Sequence, residues 1–333
     1  MPNDCQDTYL DTVVLVTGGA GAIGSNLTRA LADLEAKRVI VLDDLSSSEQ
    51  WNVPKLPNVT FVEGSILEDD VLTDVFRKKP RYVFHLAAFF ANQNSVDHPE
   101  KDLLVNGMGT LKVLQGARDA GVERFVYASS GCSIYGSSSP LPLKEEFMSL
   151  HLSSPYQITK MLGELYCNFF QQHYGLKVVK TRFFNSYGPG EIPGRYRNVI
   201  PNFIFWALQG KALPITGTGE ETRDFTYVGD IVNGLLSAGF VERAVGEEIN
   251  LASGEEVRII DLARLVNEMT GNQAGIYRAP RRRWDTKDRL WASINKAGEI
   301  LGYRPQMCFS EGISNTLKWF RENWEKIDAA VDF

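Results

Sequence analysis

Tyr156 and Lys160 are the two residues of this sequence whose types and spacing point most directly to chemistry. They lie four positions apart, so a helix would place them on one face, one turn from each other. A tyrosine with its usual pKa of about 10 is a poor base at neutral pH. A neighbouring ammonium stabilises the phenolate and lowers that pKa. The pair therefore predicts removal of a proton from a substrate hydroxyl, although the same two residues also share many ordinary helix faces.

A glycine-rich segment follows the first apolar run of the chain. Residues 13–16 are β-branched or apolar, as expected for a strand buried on both faces. Residues 17–24 then read TGGAGAIG, and from Ile23 onward apolar residues recur at helical spacing. Glycine is needed where a pyrophosphate approaches the backbone, and the helix N-terminus binds the phosphate. The order of strand, glycine turn and helix predicts a dinucleotide site.

Asp43 ends the second predicted strand, residues 38–42. It lies about 20 residues past the glycines, where a carboxylate accepts hydrogen bonds from a ribose diol. A carboxylate at that point repels a 2′-phosphate, so the position favours NAD over NADP. The alternative is a surface aspartate that opens a turn, and the register of strand, loop and helix favours the cofactor role.

A serine-rich strand end lies between the glycine segment and the tyrosine. Residues 125–136 read FVYASSGCSIYG. Ligands of open α/β sheets bind outside the carboxyl ends of the strands, so a serine here would contact a substrate hydroxyl. Serine and glycine also form ordinary turns, which is the alternative interpretation.

The composition excludes several classes of function. The chain has 333 residues, 44% of them hydrophobic, and a net charge of −6, which argues against nucleic acid as a partner. The N-terminus has no apolar signal region, and no apolar run reaches the length of a membrane span. The four cysteines and four histidines are scattered, so neither a metal site nor a disulfide framework is predicted. We expect a cytoplasmic protein that contacts no membrane.

The periodicity predicts an α/β fold with a parallel, doubly wound sheet and helices on both faces. Beyond the segments already named, the predicted strands are 59–62, 81–85, 125–128, 178–183 and 248–251. The predicted helices are 68–76, 100–120, 154–173, 200–208, 230–240 and 310–327. The alternation loosens after residue 185. This predicts a dinucleotide-binding domain, 12–185 with returning segments near 226–252, and a smaller mixed α/β domain built from 186–225 and 253–327.

These motifs, in this order, resemble the extended short-chain dehydrogenase/reductase family, specifically its NAD-dependent nucleotide-sugar epimerases and dehydratases. The resemblance extends from residue 13 to residue 323. The matching segments are TGGAGAIG at 17–24, LDDL at 42–45, HLAA at 85–88, VNG at 105–107, SS at 129–130, PYQITK at 155–160, RFFNSYGP at 182–189, VIP at 199–201, RDFTYV at 223–228, and Arg282 with Asp285. It implies a Rossmann-type fold, bound NAD, a nucleotide-sugar substrate and a homodimer paired through helices 100–120 and 154–173.

The resemblance also implies roles for single residues. Tyr156 would be the base, Ser130 would contact the reacting hydroxyl, and Lys160 would hold the nicotinamide ribose. The other cofactor contacts would be Gly18, Gly21, Ala22, Ile23, Gly24, Asp43, Ser65, Ile66, Leu86, Ala87, Ala88 and Asn106. The other substrate contacts would be Asn92, Asn185, Val199, Ile215, Arg223, Arg282 and Asp285. An arginine fork suits the diphosphate of such a substrate.

The chain departs from the family pattern in three places. One residue is inserted between the serine and the IYG at 134–136, so Ser130 is the predicted active-site serine and Ser133 the alternative. The segment 131–133 carries no acid, which disfavours water elimination and decarboxylation. Ser65 stands where the family often has an aspartate, which affects only the adenine contacts.

Epimerisation of a UDP-hexose at C4, with UDP-glucose or a relative as substrate, is the activity predicted. Tyr156 would remove the hydroxyl proton, and a hydride would pass to NAD and return to the other face of the sugar. The alternatives are a nucleotide-sugar reductase, a dehydratase or an epimerase acting at another carbon. A non-catalytic dinucleotide-sensing protein is a further alternative, which the presence of both Tyr156 and Lys160 disfavours.

Overall fold

The computed structural model describes residues 7–136, 139–281, 285 and 287–333. The strands are β1 Val13–Thr17, β2 Arg38–Asp43, β3 Val59–Glu63, β4 Tyr82–His85, β5 Arg124–Ser130, β6 Val178–Phe183, β7 Ser186–Tyr187, β8 Leu213–Thr216, β9 Thr222–Arg223, β10 Thr226–Tyr227, β11 Glu248–Leu251, β12 Val257–Arg258 and β13 Ile276–Ala279.

The helices follow the strands in the expected alternation. They are α1 Ala22–Asp33, α2 Asp69–Arg77, α3 Asn92–Asp97, α4 Pro99–Asp102, α5 Thr110–Asp119, α6 Gly131–Ile134, α7 Pro155–Tyr174, α8 Val199–Leu208, α9 Val228–Phe240, α10 Ile259–Thr270, α11 Asn295–Leu301, α12 Phe309–Glu322 and α13 Trp324–Ala330. A π-helical segment, Leu103–Gly109, joins α4 to α5. None of the helices in the described ranges combines the length and apolar composition that a membrane span needs.

Seven parallel strands form the central sheet in the order β11-β6-β5-β4-β1-β2-β3. Side chains alternate between its faces. In β1, Val14 and Val16 belong to one core and Leu15 belongs to the other. Helices α1 and α9 pack against each other on one side, and α5 and α7 on the other. The predicted doubly wound sheet is confirmed.

The strand order reverses between β1 and β4, which lie side by side in the sheet although β2 and β3 separate them along the chain. Connections leave these two neighbours in opposite directions, so a crevice opens above their carboxyl ends. A third hydrophobic core lies outside the sheet and draws on α8, α10, α12 and α13, with Phe203, Leu262 and Phe320 buried in it. These elements come from the part of the chain predicted to bind substrate.

Two predicted helices differ from the observed ones. The predicted helix 100–120 begins at Pro99 and contains the π-helical segment. The predicted helix 310–327 is interrupted at Asn323, whose side-chain amide donates to the Trp319 carbonyl at 3.0 Å. The backbone nitrogen of Asn323 donates to the same carbonyl at 3.1 Å, so the asparagine shares this acceptor between its side chain and its backbone at the break.

Candidate active site

A cleft of about 480 Å³ lies over the carboxyl ends of the sheet strands. Residues that directly follow or end β1, β2, β4, β5 and β6 form its floor, and segments of the third core form the opposite wall. The predicted site residues that line the cleft are Gly18, Gly21, Ala22, Ile23, Gly24, Asp43, Ile66, Leu86, Ala87, Ala88, Asn92, Ser130, Tyr156, Lys160, Asn185, Val199, Arg223 and Asp285.

The glycine loop packs too closely on its neighbours for a side chain at Gly18. This residue has a φ of +69°, and a Cβ there would lie 2.6 Å from the Ala87 nitrogen. The loop leads into α1, which begins at Ala22 with its N-terminus at the cleft. Free N–H groups and the positive end of the helix dipole favour a phosphate at that place. The loop therefore fits the pyrophosphate of a dinucleotide.

Asp43 holds both the glycine loop and its own turn. Its Oδ2 accepts a hydrogen bond from the Ala20 nitrogen at 2.9 Å. Its Oδ1 accepts from the Leu45 nitrogen at 3.0 Å and from the Ser48 hydroxyl at 2.8 Å. A carboxylate oxygen has two acceptor positions, so Oδ2 can accept one more hydrogen bond. The residue fits the adenosine ribose of NAD while it fixes the loop.

The tyrosine and lysine lie at the start of α7. Ser154 caps this helix, and its Oγ accepts from the Gln157 nitrogen at 3.4 Å. Gly163 lets the helix approach β5, since a Cβ there would lie 2.0 Å from the Tyr127 hydroxyl. As a result the Lys160 ammonium donates to the Ala128 carbonyl at 2.9 Å and lies 5.7 Å from the centre of the Tyr156 ring.

Burial sets the protonation of both groups. Desolvation raises the pKa of Tyr156, the charges of Asp102 and Cys132 raise it further, and a hydrogen bond with Ser130 opposes them. Desolvation lowers the pKa of Lys160 to about 8. The pKa of Tyr156 is thus raised in the protein chain alone, and its lowering by the lysine together with the nicotinamide charge stays a prediction. A phenolate in this site needs a further positive charge beside it.

The two candidate serines contact each other. β5 ends at Ser130, and the short helix α6 brings Ser133 back, so their Oγ atoms lie 2.8 Å apart. Both residues line the cleft, but Ser133 is only 1% exposed. Ser130 is the one that bonds to Tyr156.

Buried polar residues support this arrangement from behind. Asn106 accepts from the Phe89 nitrogen at 2.7 Å and donates to the Asp102 carboxylate at 2.8 Å. Asn106 is 1% exposed and does not line the cleft, whereas Phe89 does. The amide of Asn106 holds the segment that follows β4, and its predicted cofactor contact stays a prediction.

The far wall of the cleft carries a charged pair. Arg223 donates to Asp285 at 2.8 Å and to the Thr222 carbonyl at 2.8 Å. Asn185 donates to the Asp224 carbonyl at 2.9 Å. The carbonyl oxygen of the Asn92 side chain accepts from the Ser154 hydroxyl at 2.7 Å, which places it beside the start of α7. These predicted substrate residues all line the cleft.

A sequence profile described as the NAD dependent epimerase/dehydratase family matches residues 14–252. The chain belongs to this family.

Its similarity to known members extends over nearly the whole chain. A UDP-glucose 4-epimerase from Mycolicibacterium smegmatis is 35% identical over 311 residues, which cover 92% of this chain and 98% of that protein. The structure of an epimerase from Methanothermobacter thermautotrophicus is 56% identical with a TM-score of 0.98, covering 99% and 98% of the two chains. The Bordetella bronchiseptica enzyme WbmF in complex with NAD+ and UDP is 36% identical with a TM-score of 0.86, covering 97% and 96%. The predictions of family, enzyme class and NAD are confirmed.

Two further predicted residues of this family member, Ser65 and Ile215, do not line the cleft. Ser65 is not part of the lining, although Gly64 and Ile66 on either side are. Ile215 is fully buried in the third core, while Pro214 and Thr216 face the cleft. Successive strand residues point to opposite sides, so the predicted contact is displaced by one position. Arg282 lies outside the described residues.

Two charged groups beside the cofactor end of the cleft were not predicted from the sequence. Glu191 is 6% exposed and accepts from the Asn198 amide at 3.0 Å, and burial raises its pKa to about 7. Arg197 donates to the carbonyl of Ser47, next to the turn of Asp43. The loop 188–194, rich in glycine and proline, was the signal that pointed to this region.

Two further missed groups lie at the substrate end. Lys287 lines the cleft two residues past Asp285 and donates to the Cys132 carbonyl at 2.8 Å. Burial lowers the pKa of Lys287 to about 8 and raises that of the Cys132 thiol. In the sequence, only their proximity to predicted site residues pointed to them.

Proposed function

We propose that this family member is a UDP-hexose 4-epimerase that oxidises its sugar transiently and then reduces it on the other face. The observation that carries the proposal is the arrangement of Tyr156, Ser130 and Lys160 near the end of β5. All three residues line the same cleft as the glycine loop. Bound NAD supplies the acceptor and donor of the hydride and a positive charge beside the tyrosine.

Tyr156 takes the proton of the reacting hydroxyl and later returns it. The Ser130 hydroxyl, which bonds to the phenol, holds the substrate oxygen in line with it. The Lys160 ammonium, 5.7 Å from the centre of the Tyr156 ring, stabilises the phenolate, and its bond to the Ala128 carbonyl fixes it in place. The oxidised sugar must turn in the cleft before reduction, since inversion requires its other face.

The residues after Ser130 favour epimerisation over the related eliminations. Segment 131–133 contains glycine, cysteine and serine, so no carboxylate stands ready to protonate a leaving hydroxyl. A reductase or an epimerase acting at another carbon remains the second candidate, because the same three groups would serve either reaction.

The far wall fits the nucleotide part of the substrate. A guanidinium such as Arg223 contacts a diphosphate through two parallel hydrogen bonds, and Asp285 orients it at 2.8 Å. The relatives that act on UDP-glucose or bind UDP support uridine as the base. We assign this binding to the predicted domain of 186–225 and 253–327, and the cofactor to 12–185 with 226–252.

We also propose that the protein is a homodimer. The π-helical segment and α7 are neighbours and share an exposed apolar surface. Its residues, 47% to 55% exposed, are Leu103, Leu104, Met108, Ile158, Leu165 and Phe169. Phe170, the neighbour of Phe169 on α7, is instead buried in the core at 2% exposure. A contiguous apolar patch on two paired helices suits an isologous contact with a second copy.

Light scattering at micromolar concentration tests the dimer. The wild type should have twice the mass of one chain. The double variant that carries Ile158→Glu and Leu165→Glu should have the mass of a single chain. Leu150→Glu is the control, because Leu150 is 85% exposed and lies in a loop outside that surface. A monomeric wild type would overturn the proposal.

Product analysis tests the reaction. The purified protein, incubated with a panel of nucleotide sugars and no added cofactor, should interconvert UDP-glucose and UDP-galactose. Tyr156→Phe keeps the ring and should lower kcat by about 10²–10⁴ while NAD still binds. Tyr174→Phe, at the exposed end of α7, is the matched control. Net consumption of reduced cofactor by a substrate would favour the reductase, and full activity in Tyr156→Phe would refute the mechanism.

A further inference from the structure

Lys287 places a second ammonium group in the substrate half of the cleft. Its Nζ donates to the carbonyl of Cys132 at 2.8 Å. Its own backbone carbonyl accepts a hydrogen bond from Arg223 at 3.2 Å. The side chain therefore bridges the far wall and the short helix α6, which begins directly after the active-site serine.

This ammonium has no carboxylate partner in the described part of the protein. Arg223 pairs with Asp285 at 2.8 Å, but no Asp or Glu oxygen of the described residues lies within 4.0 Å of the Lys287 Nζ. Withdrawing a cation from water without an anionic partner is unfavourable, and burial lowers the pKa of Lys287 to about 8. A bound anion would offset that loss of hydration.

The position of Lys287 favours the sugar over the diphosphate. Its Nζ donates to the backbone carbonyl of Cys132, two residues after Ser130, so the ammonium lies on the side of the reacting group. A compact ammonium suits a single anionic group, whereas the planar fork of Arg223 suits a diphosphate. The segment 131–133 carries no carboxylate, so a negative substituent on the sugar would meet no like charge there.

We propose that Lys287 binds a carboxylate carried by the sugar, so that the preferred substrates of the site are nucleotide-linked uronates. The inference rests on the proposed epimerase function and specifies its substrate class. The ammonium donates to the carboxylate while Arg223 holds the diphosphate, and the two charges fix the sugar ring between Ser130 and the cofactor.

Steady-state kinetics with UDP-glucose and UDP-glucuronate test the proposal. The wild type should epimerise the uronate with at least a ~10-fold higher kcat/KM. Lys287→Met should raise KM for UDP-glucuronate by about 10–100-fold and change KM for UDP-glucose little. Lys287→Arg, which keeps the charge, should retain part of the preference. Lys101→Met, a second lysine of the cleft wall that lies over the Phe89 ring, should affect both substrates alike.

The outcomes separate this inference from the proposed function. An equal rise in KM for both substrates in Lys287→Met would assign the ammonium to the diphosphate and overturn the inference, while the epimerase stands. A wild type that epimerises UDP-glucose but not UDP-glucuronate would overturn it as well. If neither sugar is epimerised, the proposed function fails, and calorimetric binding of the two nucleotide sugars to wild type and Lys287→Met still decides the role of Lys287.

Discussion

Thr159 donates its hydroxyl hydrogen to the carboxylate of Asp102, with 2.8 Å between Oγ1 and Oδ2. Asp102 has no exposed surface, and Asn106 donates to its other oxygen at 2.8 Å. Because Thr159 directly precedes Lys160 on α7, this contact fixes a buried negative charge behind Tyr156 and Lys160. That charge raises the pKa of both Tyr156 and Lys160.

We therefore expect Asp102→Asn to move the pH dependence of kcat to lower pH. Removing the negative charge makes the phenolate of Tyr156 and the neutral amine of Lys160 easier to form, so both pKa values fall. The acid and alkaline limbs of the kcat profile should shift in the same direction. Thr159→Val is the control, since it deletes the hydrogen bond but leaves the charge. A profile that does not move in Asp102→Asn would show that Asp102 acts only through packing.

The contact between the two serines predicts an order of effects. Ser130→Ala removes the hydroxyl that bonds to Tyr156 and should lower kcat by about 10-fold. Ser133→Ala removes only the neighbour that orients Ser130, at 2.8 Å between the Oγ atoms, and should have a smaller effect. Both variants should bind NAD as the wild type does. If Ser133→Ala lowers kcat more than Ser130→Ala does, Ser133 is the residue that contacts the substrate. The role of Tyr156 would be unaffected by that result.

Local patterns were sufficient for the central sheet and for the place of the glycine loop at its edge. The strand, the glycine turn and the helix follow one another in the sequence, so a short segment is enough to predict them. The φ of +69° at Gly18 is a local backbone conformation that glycine adopts readily. The proximity of Tyr156 and Lys160 could be predicted equally well, because their spacing of four residues on one helix determines their relative position.

Contacts between distant segments could not be predicted in this way. Lys287 reaches Cys132 across 155 positions, and only the tertiary fold brings the two together. Ile215 was predicted to contact substrate, but β8 turns it into the third core and exposes its neighbours to the cleft. The raised pKa of Tyr156 depends on burial, which the spacing of Tyr156 and Lys160 does not encode.

The hydrogen bonds of Asp43 predict the cofactor preference. Calorimetry should show that the wild type binds NAD more tightly than NADP, because the carboxylate accepts from the ribose and repels a 2′-phosphate. In the Asp43→Asn variant the new side chain has nearly the same shape. Its affinity for NAD should be lower by about 10–100-fold, and its affinity for NADP should change less. Its amide can still accept from the Ala20 nitrogen, and circular dichroism checks that the fold persists. Equal affinity of the wild type for both cofactors would remove this role from Asp43.

Glu191 should make the stability of the protein depend on pH near neutrality. Burial raises its pKa from 4.5 to about 7, so the folded state binds this proton more tightly than the unfolded state does. Its contribution to stability is fully present below about pH 4.5 and is lost as the pH rises through about 7.

Glu191→Gln cannot ionise, and its amide oxygen can still accept from Asn198 as the carboxylate does at 3.0 Å. A shift from 4.5 to about 7 corresponds to roughly 3 kcal/mol at most. The variant should therefore exceed the wild type in free energy of unfolding at pH 8 by up to that amount, and by much less at pH 5. Urea denaturation of both proteins at the two pH values measures the difference. The same difference at pH 5 and pH 8 would mean that Glu191 titrates normally and that Arg197, whose charge also acts on it, keeps it ionised in the folded protein.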